Sequence, residues 1–286
     1  MSIEIKPFFD QETATFTYVV SDVKGKVAAV IDPVLNYDQY AGRMTTHAAD
    51  EVIAYITAQQ LTLQWILETH IHADHITAAS YIKEKLGGFV GIGKKITTVL
   101  EYWVPVFNTS DDTPLDGSQF DCLFDDKQQF FLGESVITVW HTPGHTPACC
   151  SYLIDDNIFV GDTIFMPDIG TARTDFPGGS AEDLYSSIKR ILNLSPHTNI
   201  FVGHDYPPVQ RDKRCNITVQ EQRQTNILVN DTVSQESYVQ NRHQRDQNKA
   251  VPKLLLPSIQ ANLRLGRFSA SESNGIQYIK IPINSL

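Results

Sequence analysis

Apolar and polar positions alternate over residues 13–20, with a period of two, and this predicts a β-strand. Residues 26–33 predict a second strand, stopped by Asp32-Pro33. Over residues 48–60 the period lengthens: Val52, Ile53 and Ile56 share one face of an amphipathic helix. Residues 63–67 read as a strand again, and 76–82 as the start of a helix. Further apolar runs at 135–140, 158–160 and 199–202 predict three more strands. A helix over 181–194 has Ser180 as its N-cap, Glu182 and Asp183 in its first turn, and Leu184, Ile188 and Ile191 as its apolar stripe. Residues 218–230 predict another helix, and 115–126 a turn-rich loop near the site. Residues 233–249 are rich in Gln, Asn and Arg, and read as a solvated helix or a flexible connector. Beyond 253, short apolar patches are expected to pack back. The pattern gives one domain over 1–286, with 233–286 as a C-terminal extension.

Composition agrees with a large globular domain: 286 residues, 42% hydrophobic and 20% charged. A formal net charge of -10 argues against nucleic-acid binding, which shows a basic footprint. No apolar run reaches the roughly 18 residues that a membrane helix needs. The first residues lack the layout of a signal peptide, so a cytoplasmic location is expected. The four cysteines, Cys122, Cys149, Cys150 and Cys215, have no framework spacing, and reduced thiols are the expectation. Three glycosylation sequons, at Asn108, Asn216 and Asn230, are then chance matches.

The chemistry concentrates after the 63–67 strand. Residues 69–75 read T-H-I-H-A-D-H, placing His70, His72, Asp74 and His75 on one strand-to-helix loop. Neutral imidazole and carboxylate are ordinary zinc and iron ligands. His141 and His145 follow the 135–140 strand, Asp162 follows 158–160, and His204 follows 199–202. Singly, each has a plain structural reading: His141 as a surface or supporting histidine, His145 as a turn residue, Asp162 as a cap, His204 as a core histidine. Their shared strand-end context points instead to one rim of a sheet. A Gly- and Pro-rich block, 166–179, comes directly after Asp162. Its Arg173 could grip a carboxylate of a ligand, or could pair with Asp175 to brace the loop; the chemistry allows both.

The order H-x-H-x-D-H, H, D, H resembles the metallo-β-lactamase superfamily, from about the first strand to His204. The resemblance implies an α/β fold of αββα type: two mixed β-sheets packed face to face with helices outside. It also implies one metal site from His70, His72 and His145, a second from Asp74, His75 and His204, and Asp162 as bridge.

T-H-x-H-A-D-H, H-T-P-G-H-T-P, G-D-x-x-F and R-T-D-F-x-x-G, with Gly203-His204-Asp205-Tyr206, resemble the persulfide dioxygenase branch, relatives of glyoxalase II. The longer block 170–179 and the tail 252–262 resemble a bacterial subgroup often labelled β-lactamase-like hydrolase and linked to sulfide detoxification. Ala148 departs from the Gly common in the family before Cys149, and no rhodanese module follows. The resemblance implies glutathione persulfide oxidised with O₂ to sulfite at a single non-haem Fe(II). His70, His145 and Asp162 would hold the iron as a facial triad. His72, Asp74, His75 and His204 would become supporting groups, and Arg173, with Tyr206, would hold the glutathione part. Cys149 and Cys150 read as small buried hydrophobes. Related enzymes are often homodimers. The competing expectation is a hydrolase with one or two zinc ions, a glyoxalase II thioesterase or a lactonase, since all seven candidate ligands are present. The R-T-D-F block favours the dioxygenase. A non-catalytic relic would be expected to have lost ligands.

Overall fold

The computed structural model describes residues 3–284. The chain opens with strands β1 (Ile3–Asp10), β2 (Thr15–Asp22) and β3 (Val27–Ile31), then a small hairpin, β4 (Val34–Asp38) and β5 (Arg43–Thr45). Helix α1 (His47–Ala58), β6 (Thr62–Leu67), β7 (Ile76–Thr77), α2 (Ala79–Leu86), β8 (Phe89–Gly93), α3 (Ile96–Phe107) and β9 (Cys122–Phe124) complete the first half. The second half runs β10 (Gln129–Leu132), β11 (Ser135–His141), β12 (Cys150–Ile154), β13 (Asn157–Phe159), α4 (Ala181–Leu192), β14 (Asn199–Phe201), β15 (Asn216–Thr218), α5 (Val219–Thr225), α6 (Gln235–Asp246) and α7 (Leu255–Asn262).

Two six-stranded sheets form, in the orders β1-β2-β3-β6-β8-β9 and β10-β11-β12-β13-β14-β15. Both are mixed: β3, β6, β8 and β9 run parallel in the first, and β13 and β14 in the second. Their facing sides share one core, in which Tyr18, Val20 and Leu67 meet Val139, Tyr152 and Phe159. The alternate residues Val19, Val30 and Ile66 face the other way, onto α1, α2 and α3. β2 is buried along its whole length because both its faces are covered. On the far side, α4 lays Leu184, Ile188 and Ile191 against Ile158, Ile200 and Val202 of the second sheet. Burying each such side chain contributes about 1.5–3 kcal/mol. This is the αββα arrangement, and it sets the C-terminal ends of β6, β11, β13 and β14 around one rim.

Several elements differ from the sequence pattern. The helix expected from 76 begins at Ala79, because Leu35 pairs with Ile76 and Val34 with Thr77 to make a strand first. The helix expected to reach 230 stops at Thr225; there the Asn226 side chain turns to accept from the amides of Leu228 and Val229. The 115–126 segment lines no part of the cleft over Asp74, His145 and Asp162, and it supplies edge strand β9 instead. Residues 235–246 form a helix whose Tyr238, Arg242 and Asp246 are buried, so this is neither a flexible connector nor a wholly solvated helix. Within 253–284, α7 packs into the core, whereas Ile276, Tyr278, Ile281 and Ile283 are exposed. No helix among the described residues is long and apolar enough to cross a membrane.

Candidate metal centre

The loop after β6 is held rigidly before any ligand is considered. Asp32, at φ +48 after β3, accepts from the Thr69 amide (2.7 Å) and hydroxyl (2.8 Å). The Cys150 amide donates to the Thr69 carbonyl at 2.9 Å. Asn262 of α7 donates to the carbonyls of His72 and His75, each at 2.8 Å, and accepts from the Thr77 amide at 2.8 Å. Gly144 and Gly161 carry the loops of His145 and Asp162 close to neighbours: a Cβ on either would overlap Leu184 or Thr69, respectively.

These fixings orient the imidazoles. Thr69 gives its hydroxyl hydrogen to Asp32, so it accepts from His70 Nδ1 at 3.0 Å, leaving His70 Nε2 as a bare lone pair. His145 Nδ1 donates to the Arg173 carbonyl at 2.8 Å, and its Nε2 lies 3.8 Å from Asp162 Oδ2. His204 Nδ1 donates to the Ala14 carbonyl at 3.2 Å. Its Nε2 stands 3.3 Å from Asp162 Oδ1 and 3.2 Å from Asp74 Oδ2. His72 Nε2 is turned to Asp32 (3.1 Å) and Glu68 (3.3 Å).

Among the described residues, His70 Nε2, His72 Nδ1, His75 Nε2 and Asp162 Oδ1 are buried without a hydrogen-bond partner. A buried orphan of this kind costs about 1–3 kcal/mol, and four of them together fit a cation. His70, His145 and Asp162 each bring one ligand atom within 4.8 Å of the others. His72, Asp74 and His75 do the same. The donor set therefore suits one or two metal ions of the zinc or iron kind. The second group takes His72 where the resemblance implied His204, which instead sits between Asp74 and Asp162.

The electrostatics follow from burial. Burial holds the His70 pKa well below the ordinary imidazole value, so it stays neutral. Burial works the same way on His204, but the Asp162 and Asp74 carboxylates outweigh it and raise its pKa. Burial also raises the Glu68 carboxyl, whose Oε1 accepts from the Thr77 hydroxyl. Cys149 and Cys150 are buried and pushed up to about 12, which keeps both as inert thiols.

A cleft of about 310 Å³ opens over the ligands, with Asp74, His145 and Asp162 at its floor and Phe165, Phe176 and Tyr206 as walls. Tyr206 stacks on His204 at 5.6 Å and 13°. The residue is 48% exposed; the partial desolvation of its hydroxyl and the nearby Asp74 and Asp162 carboxylates both raise its pKa, so the phenol is a neutral donor. Arg173 lines the cleft, and its guanidinium is already engaged. Two 2.6 Å bonds hold Asp175, and Nη1 donates to the Ala250 carbonyl at 2.8 Å. A ligand carboxylate reaches this fork only by replacing Asp175. Arg245 and Lys249 add two further cations to the cleft lining. His141 lies apart from the cluster, with Nε2 bonded to the Phe124 carbonyl at 2.9 Å.

Asp32, Glu68 and Asn262 are the site residues that the sequence pattern does not reveal. Asp32 carries one signal, an Asp-Pro break at a strand end, and Glu68 directly precedes the T-H-x-H run. Asn262 carries only the resemblance of the 252–262 tail, which assigns it no role, because it arrives from 187 residues beyond His75.

The chain belongs to the metallo-beta-lactamase superfamily, whose sequence profile matches residues 11–204. It is 47% identical to Glyoxylase B2 of Dictyostelium discoideum, over 99% of this chain and 98% of that one. It is 28% identical to the mitochondrial persulfide dioxygenase ETHE1 of Bos taurus, over 92% of this chain and 88% of that one. The crystal structure of ETHE1 from Myxococcus xanthus superposes with a TM-score of 0.74 at 28% identity, covering 92% of this chain and all of that one.

Proposed function

We propose that the protein is a persulfide dioxygenase that converts glutathione persulfide, O₂ and water into glutathione and sulfite, in the service of sulfide detoxification. The observation that carries this reading is the trio His70, His145 and Asp162: two imidazoles and one carboxylate within 4.8 Å of one another, with His145 and Asp162 lining the open cleft. Two imidazoles and one carboxylate make up the donor set of the facial triad of non-haem iron oxygenases, and a metal held by these three residues would keep positions for reactants. Iron(II) held there supplies the one-electron chemistry with O₂ that zinc lacks. His70 stays neutral through burial, and the Nδ1 bonds of His70 and His145 fix both rings with Nε2 outward. Arg245 and Lys249, in a chain of net charge -10, give the cleft a local cationic side for the carboxylates of a glutathionyl substrate. The Tyr206 phenol, also in the cleft lining, offers a hydrogen bond. The similarity to ETHE1 supports the same reading.

A second reading has a specific observation behind it. The bare His72 Nδ1 and His75 Nε2 fit a second cation. The chain would then be a dinuclear zinc hydrolase of thioesters or lactones, in keeping with its 47% identity to Glyoxylase B2. Metal content separates the two. The dioxygenase reading expects one iron per chain after aerobic expression in iron-replete medium, lost in His145→Ala and in Asp162→Ala. Two zinc ions per chain, retained against added iron, would overturn it.

A further inference from the structure

Helix α6 buries a polar stripe where an apolar one would be ordinary. Tyr238, Arg242 and Asp246 lie at successive i,i+4 positions and are 1%, 1% and 6% exposed. Arg242 and Asp246 form a two-point ion pair, Nε to Oδ2 at 2.9 Å and Nη2 to Oδ1 at 2.6 Å. Such a buried pair is a poor source of net stability compared with apolar packing. Its location is more informative. Arg242 Nη1 donates to the Thr171 carbonyl at 3.1 Å, and the Tyr238 hydroxyl pairs with the Thr171 hydroxyl at 2.8 Å. Asp246 Oδ2 accepts from the Thr174 amide at 2.9 Å. All three side chains therefore reach the 171–174 loop.

The Thr174 N–H and the Arg173 C=O belong to one planar peptide group. Asp246 grips its N–H end at 2.9 Å, and His145 Nδ1 donates to its C=O end at 2.8 Å. A carboxylate on the N–H side polarises the peptide and strengthens its carbonyl as an acceptor. A stronger acceptor at Nδ1–H fixes the His145 ring and raises the basicity of Nε2. The arrangement works as a carboxylate–histidine pair with one peptide inserted between the partners.

We propose that Asp246 is a positioning residue for His145, acting through the Arg173–Thr174 peptide to orient and strengthen His145 as a metal ligand. The inference rests on His145 binding metal, which both readings of the function share, so it stands or falls separately from the choice of iron or zinc. Helix α6 thereby serves the metal centre on its buried face and the cleft through Arg245 on its exposed side, with Lys249 lining the cleft just beyond the helix end.

The test is zinc affinity, measured by chelator competition at fixed pH on folded wild-type, Asp246→Asn and Tyr238→Phe proteins. Asn keeps the shape and one acceptor oxygen but removes the charge. Tyr238→Phe removes a bond of the same stripe that does not touch the Arg173–Thr174 peptide, and so reports the purely structural cost. The expected result is a loss of at least fivefold in affinity for Asp246→Asn, and a change within twofold for Tyr238→Phe. The His145 Nδ1–H proton of the zinc-loaded, ¹⁵N-histidine-labelled protein should also move upfield and exchange faster in Asp246→Asn alone. Affinities within twofold of wild type for Asp246→Asn, or equal losses in both variants, would overturn the proposal. Thermal midpoints of the metal-free proteins, measured alongside, show whether any loss merely tracks stability.

Discussion

The side-chain amide of Asn262 donates to the main-chain oxygen of His75 at 2.8 Å, across 187 residues of sequence. The same amide reaches the His72 carbonyl, and its oxygen takes the Thr77 amide. Asn262→Leu leaves three buried backbone groups unpaired, at about 1–3 kcal/mol each. The metal-free protein should lose roughly 3 kcal/mol or more in urea unfolding. A loss under about 1 kcal/mol would mean that water or a backbone shift replaces the clamp.

Gly161 sits at φ +48, directly before Asp162, and a Cβ there would strike Thr69. Gly161→Ala combines a left-handed backbone with overpacking, costing about 1–3 kcal/mol. Because Thr69 orients His70, metal content should fall as well. Full metal occupancy in this variant would show that the 161–162 turn has slack.

Burial works against a proton on His72, but the Asp32 and Glu68 carboxylates outweigh it and raise its pKa well above the imidazole norm. A raised folded-state pKa adds stability that is complete below about pH 6.5, the unfolded value, and drains away as pH rises toward the folded one. For Asp32, burial is outweighed by His72 and the Thr69 bonds, so its pKa is lowered. Its contribution is present above about pH 4 and lost below that. Metal-free protein should therefore lose stability as pH rises above about 6.5, with a slope of at most about 1.4 kcal/mol per pH unit from His72. Asp32→Asn should show a shallower decline. A flat wild-type profile over that range would contradict the charged pair.

Arg173→Lys keeps the charge but not the fork that grips Asp175. Its main chain, and with it the acceptor for His145, is retained. A substrate carboxylate that replaces Asp175 on this fork would lose one charged hydrogen bond, so KM should rise about tenfold, with metal content unchanged. A parallel loss of metal would make Arg173 a brace for the centre and not a partner of the substrate.

The fold was legible where burial imposes a period. Residues 13–20, 48–60 and 181–194 lie within two residues of β2, α1 and α4 at each end, because each carries its apolar positions at the spacing of its own element. The ligand candidates were legible because they recur at strand ends. The rest depends on partners distant in sequence. Ile76-Thr77 looks helical until β4 is beside it. The 233–249 stretch looks solvated because its buried face is made of Tyr238, Arg242 and Asp246, which satisfy one another and the 171–174 loop. Polarity in sequence predicts exposure only when no such partners exist. Asn262 is unreadable for the same reason.

An iron-dependent oxidation at the His70–His145–Asp162 trio would consume oxygen, which an electrode reads. Protein loaded with Fe(II) is given glutathione persulfide in an oxygen electrode, and sulfite is assayed at the end. One O₂ should be consumed per sulfite formed, and Asp162→Ala should abolish the uptake. No oxygen uptake by protein with iron confirmed bound would contradict the iron-dependent oxidation and transfer the assignment to zinc-dependent hydrolysis of thioesters or lactones.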